Sequence, residues 1–157
     1  MTAPVFVDTN ILVYARDAGE PAKQARAVEV LRLLWAARSG RLSTQILQEY
    51  YVTVTRKLRP GLPLADARAD VDALVAWQPT SPATATFRKA WQIEDRFQLS
   101  WWDSLVVASA MESGARLLLT EDLQHGLVID HLRVANPFHV DFQLDELAAK
   151  SRGKPRA

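Results

Sequence analysis

Four acidic residues in this chain, Asp8, Glu49, Asp103 and Asp122, have positions that suggest shared chemistry. Asp8 directly follows the apolar run Val5-Phe6-Val7, and Asp122 stands just past Leu117-Leu118-Leu119-Thr120. Both runs read as short buried strands, so both acids fall at strand ends. Glu49 and Asp103 fall on helical segments whose N-termini would face the same rim. Packing like charges together raises some of their pKa values and costs stability unless a cation neutralises them. A ring of carboxylates with open water positions could hold magnesium, which takes oxygen ligands and usually keeps several waters. Such a centre activates water for in-line attack on a phosphodiester and can stabilise the departing oxygen.

Each acid alone also has a plainer explanation. Asp8 could cap a helix beginning near Asn10. Glu49 could be a solvated residue, about 100° around its helix from Tyr50. Asp103 stands three residues after Ser100, the capping-box offset, although that box prefers Glu or Gln. Asp122 could cap a turn after its strand. The two sets of readings separate on whether the four side chains meet.

Composition narrows the chemistry. The 157 residues include no cysteine, which removes disulfides, thiolate nucleophiles and cysteine-held zinc or iron–sulfur sites. The three histidines, His125, His131 and His139, show no paired spacing on a helix face. Any metal should therefore be a hard cation held by oxygen, Mg2+, with Mn2+ able to take the same ligands. A glycine-rich phosphate loop ending in Lys is absent. Haloacid-dehalogenase-like phosphatases need a second acid two residues after the first, where this chain has Asn10.

The net charge of +1 conceals an asymmetry. Lys150, Arg152, Lys154 and Arg156 lie in the last eight residues; without them 15 basic residues face 18 acids, so the body is near −3. A nucleic-acid ligand would have to rely on local patches. No apolar run approaches the roughly 20 residues of a bilayer span, and no basic-then-apolar leader opens the chain. No membrane association and a cytoplasmic location are expected.

The elements needed to position the acids follow from periodicity and breakers. Pro21 suits a first helical position, followed by Val28, Leu31 and Trp35 at helical spacing with Val30 and Leu34 beside them. Leu42 suits a short strand. Ser43 or Thr44 caps a helix with Leu47, Tyr51, Val54 and Leu58 as its stripe, ended by Pro60-Gly61. Helices are expected over Leu64–Trp77, Ala83–Phe97 and Ser100–Met111, the last stopped by Gly114. Leu132–Ala135 is a third strand, closed by Asn136-Pro137. Short strands alternating with longer helices predict an α/β fold, a mainly parallel sheet with helices on both faces. Ligands of open sheets of this kind gather at the carboxyl ends of the strands, where Asp8 and Asp122 fall. Residues 1–140 read as one domain and 141–157 as a C-terminal extension, basic and disordered from about 151.

These segments carry a family resemblance. Val5-Phe6-Val7-Asp8-Thr9-Asn10-Ile11-Leu12 resembles the opening motif of PIN domains, and Ser43 to Tyr50 is similar to their second, glutamate-bearing motif. Leu99-Ser100-Trp101-Trp102-Asp103-Ser104-Leu105 resembles the third motif and Leu118 to Leu123 the fourth, with Asn136-Pro137-Phe138 matching the usual close of the last strand. The likeness runs from Val5 to Phe138 in the family's order and is greatest toward the VapC branch, the toxins of toxin–antitoxin pairs. It implies a single PIN-like domain acting as a magnesium-dependent endoribonuclease, a homodimer, and a cognate antitoxin whose C-terminal segment blocks the site. It also implies that Asp8, Glu49, Asp103 and Asp122 hold metal and activate water, Asp8 and Asp103 as the direct ligands. Thr120 would orient the fourth acid, and Thr9 and Asn10 the first. Glu121 reads as solvent-facing.

Trp101 and Trp102 could stack on unpaired bases, but at least one should be core, since neighbours at a helix start point in different directions. Arg56, Lys57 and Arg59 form either an RNA-facing patch or a solvated helix end. The same family would accommodate a housekeeping RNA-processing nuclease, and a different class a binding module without catalysis.

Overall fold

The computed structural model describes residues 2–148. The expectation of disorder beyond about residue 151 lies outside the described residues. Among the described residues five strands form one sheet in the order β2-β1-β3-β5-β4. They are β1 (Val5–Val7), β2 (Gly40–Arg41), β3 (Leu117–Leu119), β4 (Val128–Ile129) and β5 (Leu132–Ala135). All pairings are parallel except β4 with β5. The expected α/β architecture is therefore present, with an antiparallel edge hairpin at β4 that the sequence reading did not include. Its turn passes through Asp130 at φ 53°, a backbone conformation that Asp tolerates better than most residues.

Among the described residues six α-helices flank the sheet: α1 (Thr9–Tyr14), α2 (Pro21–Ala37), α3 (Thr44–Val52), α4 (Leu64–Leu74), α5 (Thr84–Phe97) and α6 (Trp101–Glu112). Their starts match the capping chemistry. The Asp8 carboxylate accepts the Thr9 N–H, the Ser43 hydroxyl accepts from Ile46, and the Ser100 hydroxyl accepts from Asp103. Gly114, at φ 77°, ends α6 in the left-handed region that glycine enters without steric cost. After α3 the chain widens into a π-helical turn, Thr53–Lys57, a feature frequent at functional sites. No helix among the described residues is long and apolar enough to cross a membrane.

The core lies between the sheet and its helices. Phe6, Val7, Leu118, Leu119, Leu132 and Val134 are fully buried, as befits strands covered on both faces. Helix α2 corrects the reading of its stripe: Ala27, Val30 and Leu34 point inward, while Val28 and Trp35 are exposed. Both sets run at helical spacing, and periodicity alone cannot choose between them. In α3 the buried set is Ile46, Leu47 and Tyr50, followed by Val54 in the π turn, with Tyr51 and Leu58 half-buried. Beyond β5, Phe142 and Leu147 are buried against the domain, and Arg133 reaches Glu146 at 2.6 Å.

Leu118 sits in the central strand, fully buried between β1 and β5. Leu118→Ala should lower the unfolding free energy by about 2–5 kcal/mol through lost burial and the cavity left behind. Urea unfolding of the two proteins measures this, and a loss below about 1 kcal/mol would contradict the placement of the core.

Candidate active site

Parallel pairing of β1 with β3 matches Val7 to Leu119, so both strands end at the same edge. The residues immediately beyond them, Asp8 and Thr120, are consequently neighbours. The Thr120 hydroxyl donates to Asp8 Oδ2 at 2.8 Å while accepting the Asp122 N–H at 3.1 Å. Thr120 is fully buried and Asp8 only 7% exposed. The amide of Asn10 reaches Asp122 Oδ2 at 3.0 Å, Thr120 Oγ1 at 3.3 Å and Asp8 Oδ2 at 3.4 Å. One side-chain amide and one hydroxyl thus bridge the acids of two strands.

Glu49 approaches from α3. Its Oε2 accepts from the Thr9 hydroxyl at 2.8 Å and its Oε1 from Gln45 Nε2 at 2.8 Å. Asp103 enters from the first turn of α6. All four acids line one cavity of about 430 Å³, together with Thr9, Asn10, Gln45 and Trp102. The structure therefore brings the whole expected set together. The plainer readings of Asp8 as a helix cap and Asp103 as a first-turn acid are true as well, because the caps are what aim these residues at the rim.

Three neighbouring residues make contacts beyond those expected of them. Thr120 orients the first acid through its hydroxyl and the fourth only through that residue's backbone. Thr9 serves Asp8 by its N–H, at 2.8 Å, but gives its hydroxyl to Glu49. Glu121 is not simply solvent-facing: it accepts from the Tyr14 hydroxyl at 2.5 Å and pairs with Lys23 Nζ at 2.9 Å. Lys23 also lies over the Tyr14 and Phe138 rings, at 4.6 and 5.4 Å. This cluster ties the segment carrying Asp122 to α1 and α2. Its members are distant in sequence and fit no motif, which is why sequence reasoning missed them.

Burial pushes the Asp8 carboxyl up to about 6; the charges of Asp122 and Glu49 add to this, against the bonds from Thr120 and Thr9. Burial likewise raises Asp103, with Asp122 contributing and Ser100 opposing. These carboxylates therefore sense one another. Among the described residues none of the ion pairs engages any of the four.

Among the described residues no three acidic or histidine side chains are drawn together tightly enough to hold an ion as they stand. Mutual repulsion of un-neutralised carboxylates works against such closeness, and magnesium commonly uses only one or two of them with retained waters. An all-oxygen donor set, partly desolvated and without a basic counter-charge, fits a hard divalent cation.

The Trp pair divides. Trp101 is half-buried against Phe87 and Trp91, with ring centroids 5.8 and 6.4 Å away, whereas Trp102 is 63% exposed at the cavity. Arg56, Lys57 and Arg59 are exposed. Lys57 lines a second hollow that shares Glu49 and Thr53 with the acidic cavity.

Comparison with known proteins adds a family and a fold. The family profile described as PIN domain matches residues 5–128. A toxin–antitoxin complex from Klebsiella pneumoniae aligns with a TM-score of 0.62 at 15% identity, covering 87% of this chain and 99% of the other. VapC20 from Mycobacterium tuberculosis, a sarcin–ricin loop cleaving toxin, aligns with a TM-score of 0.56 at 23% identity over 73% of this chain and 86% of that one. VapBC2 from Rickettsia felis, bound to a DNA fragment from its promoter, gives 0.56 at 17% identity over 84% and 97%. At these identities the likeness is one of fold. No curated protein matches the chain.

The raised Asp8 pKa has a consequence for the metal-free protein. Folded Asp8 holds its proton up to about pH 6, whereas the unfolded chain releases it near 3.8. Ionised Asp8 therefore weighs against folding above about pH 6, and the penalty fades as pH falls towards 4. Asp8→Asn should stabilise the metal-free protein by about 1–3 kcal/mol near pH 7.5, with little gain near pH 4. Denaturant unfolding at both pH values measures it; a gain independent of pH would contradict the desolvation account.

Proposed function

The chain belongs to the PIN-domain family, and from that membership we propose that it is a metal-dependent endoribonuclease, the toxin of a toxin–antitoxin pair. The observation that carries this reading is the meeting of Asp8, Glu49, Asp103 and Asp122 in one cavity. Asp8 and Asp103 would hold Mg2+, with Glu49 and Asp122 within the same ring; Mn2+ takes the same ligands. When bound, the ion supplies an activated water and neutralises charge on the phosphodiester oxygens.

The chain's own residues prepare that chemistry. Thr120 and the Thr9 N–H fix the rotamer of Asp8. Gln45 and the Thr9 hydroxyl do the same for Glu49. Asn10 holds Asp122 beside them. A cation in the cavity would favour the ionised form of Asp8 and so offset the cost of its burial. The fold shared with solved toxins supports the toxin role. RNA as substrate, a cognate antitoxin covering the site, a homodimer and a cytoplasmic setting complete the proposal.

Asp8→Asn and Asp103→Asn should each lower magnesium-dependent RNA cleavage by at least roughly 100-fold, the upper range for losing even a supporting group, and should relieve growth arrest on expression. Cleavage assays on total cellular RNA, with and without chelator, provide the measurement. Full activity in both variants, or activity indifferent to the chelator, would sink the mechanism.

Thr120→Val removes the bond that orients Asp8 while keeping the side chain's shape. A loss of roughly 10- to 100-fold in metal affinity or cleavage is expected. Calorimetric titration with Mg2+ tests it, and an unchanged affinity would show that Thr120 only fills space.

A further inference from the structure

The acidic cavity poses an electrostatic difficulty for the substrate assigned to it. Asp8, Asp17, Glu49, Asp103 and Asp122 all line it, and among the described residues no Lys or Arg does. A polyanionic strand entering there gains no ion pair from the walls. Even with a divalent ion offsetting part of the charge, much of the binding must come from contacts that do not depend on phosphate.

Trp102 offers such a contact. It stands in the first turn of α6 next to Asp103 and lines the same cavity. It is 63% exposed, unlike the half-buried Trp101 beside it. Trp101 takes the packing against Phe87 and Trp91; among the described residues no ring packs on the Trp102 indole. Core packing therefore does not account for Trp102. An indole face at the mouth of a nuclease cavity stacks on the face of a nucleobase, whatever its identity. In paired RNA those faces are covered by neighbouring bases, and a side chain reaches them only where bases are unstacked.

We propose that Trp102 is the platform on which an unpaired RNA base stacks as the strand enters the acidic cavity. This rests on the ribonuclease reading of the same cavity. Specificity then begins with accessibility of a base, before any hydrogen-bond readout of its edge.

Binding and cleavage test it separately. In the Asp8→Asn background, where the RNA stays intact, the chain is titrated with random-sequence RNA of about 12 nucleotides, single-stranded or annealed to its complement. Adding Trp102→Ala should weaken single-strand binding roughly 10- to 100-fold, with Trp102→Phe keeping most of it. Duplex RNA should bind weakly to all three. Equal binding by the Ala and Trp proteins, no binding of the single strand, or equal affinity for single and paired RNA would overturn the proposal. So would a change of oligomeric state on Trp102→Ala by sedimentation, since the indole would then belong to a protein interface. With Asp8 intact, cleavage of total cellular RNA distinguishes the two readings. If the chain cuts RNA and Trp102→Ala cuts it with unchanged KM, only the platform fails; if the chain cuts no RNA, both readings fall.

Discussion

The hydrogen bond from Thr120 to Asp8 joins two strands 112 residues apart at a point from which water is nearly excluded. It forms only because β1 and β3 pair in parallel with Val7 opposite Leu119. A slip of one residue would reverse the side-chain directions of one strand relative to the other and carry Asp8 away from the hydroxyl. The same register fixes Asn10, Thr120 and Asp122 as one connected set. Every other part of the site is placed relative to this edge: α3 brings Glu49 to the Thr9 hydroxyl, and α6 brings Asp103.

This arrangement costs stability. Burying a carboxylate beside other carboxylates works against folding at neutral pH. The core offsets it with strands whose side chains are buried on both faces and with helices capped by Asp8, Ser43 and Ser100. The cap and the site share Asp8. The residue that satisfies a backbone N–H at the start of α1 also presents its second oxygen to Thr120 and Asn10. Helix starts at the carboxyl end of the sheet thus give Asp8 and Asp103 their directions.

Charge is divided between the cavity and its surroundings. Carboxylates line the cavity, while Lys57 lines the adjoining hollow and Lys23 is engaged by Glu121. The Tyr14–Glu121–Lys23 cluster steadies the segment after β3, and the edge contact of Tyr14 with Phe138, centroids 5.1 Å apart, extends it beyond β5. An acidic centre with its cations held back would suit the proposed metal, because a Lys or Arg inside the ring would compete with an ion for the same oxygens.

Much of this was legible in the residues themselves. Apolar runs fixed β1, β3 and β5; Pro21, Ser43, Ser100 and Gly114 fixed helix ends; and acids at strand ends and on helices opening at the same rim marked the site. These signals are local, since a cap, a breaker or a short apolar run acts through its immediate neighbours in the chain. The tertiary structure decided what depends on distance through space. It chose Ala27, Val30 and Leu34 over Val28 and Trp35 as the inner face of α2 and paired two-residue β4 with β5. It also sent the Thr9 hydroxyl to Glu49, clamped Glu121, and left Trp102 rather than Trp101 at the cavity. Equal sequence spacings and neighbouring side chains offer no local energy difference between such alternatives; only packing against elements far along the chain separates them.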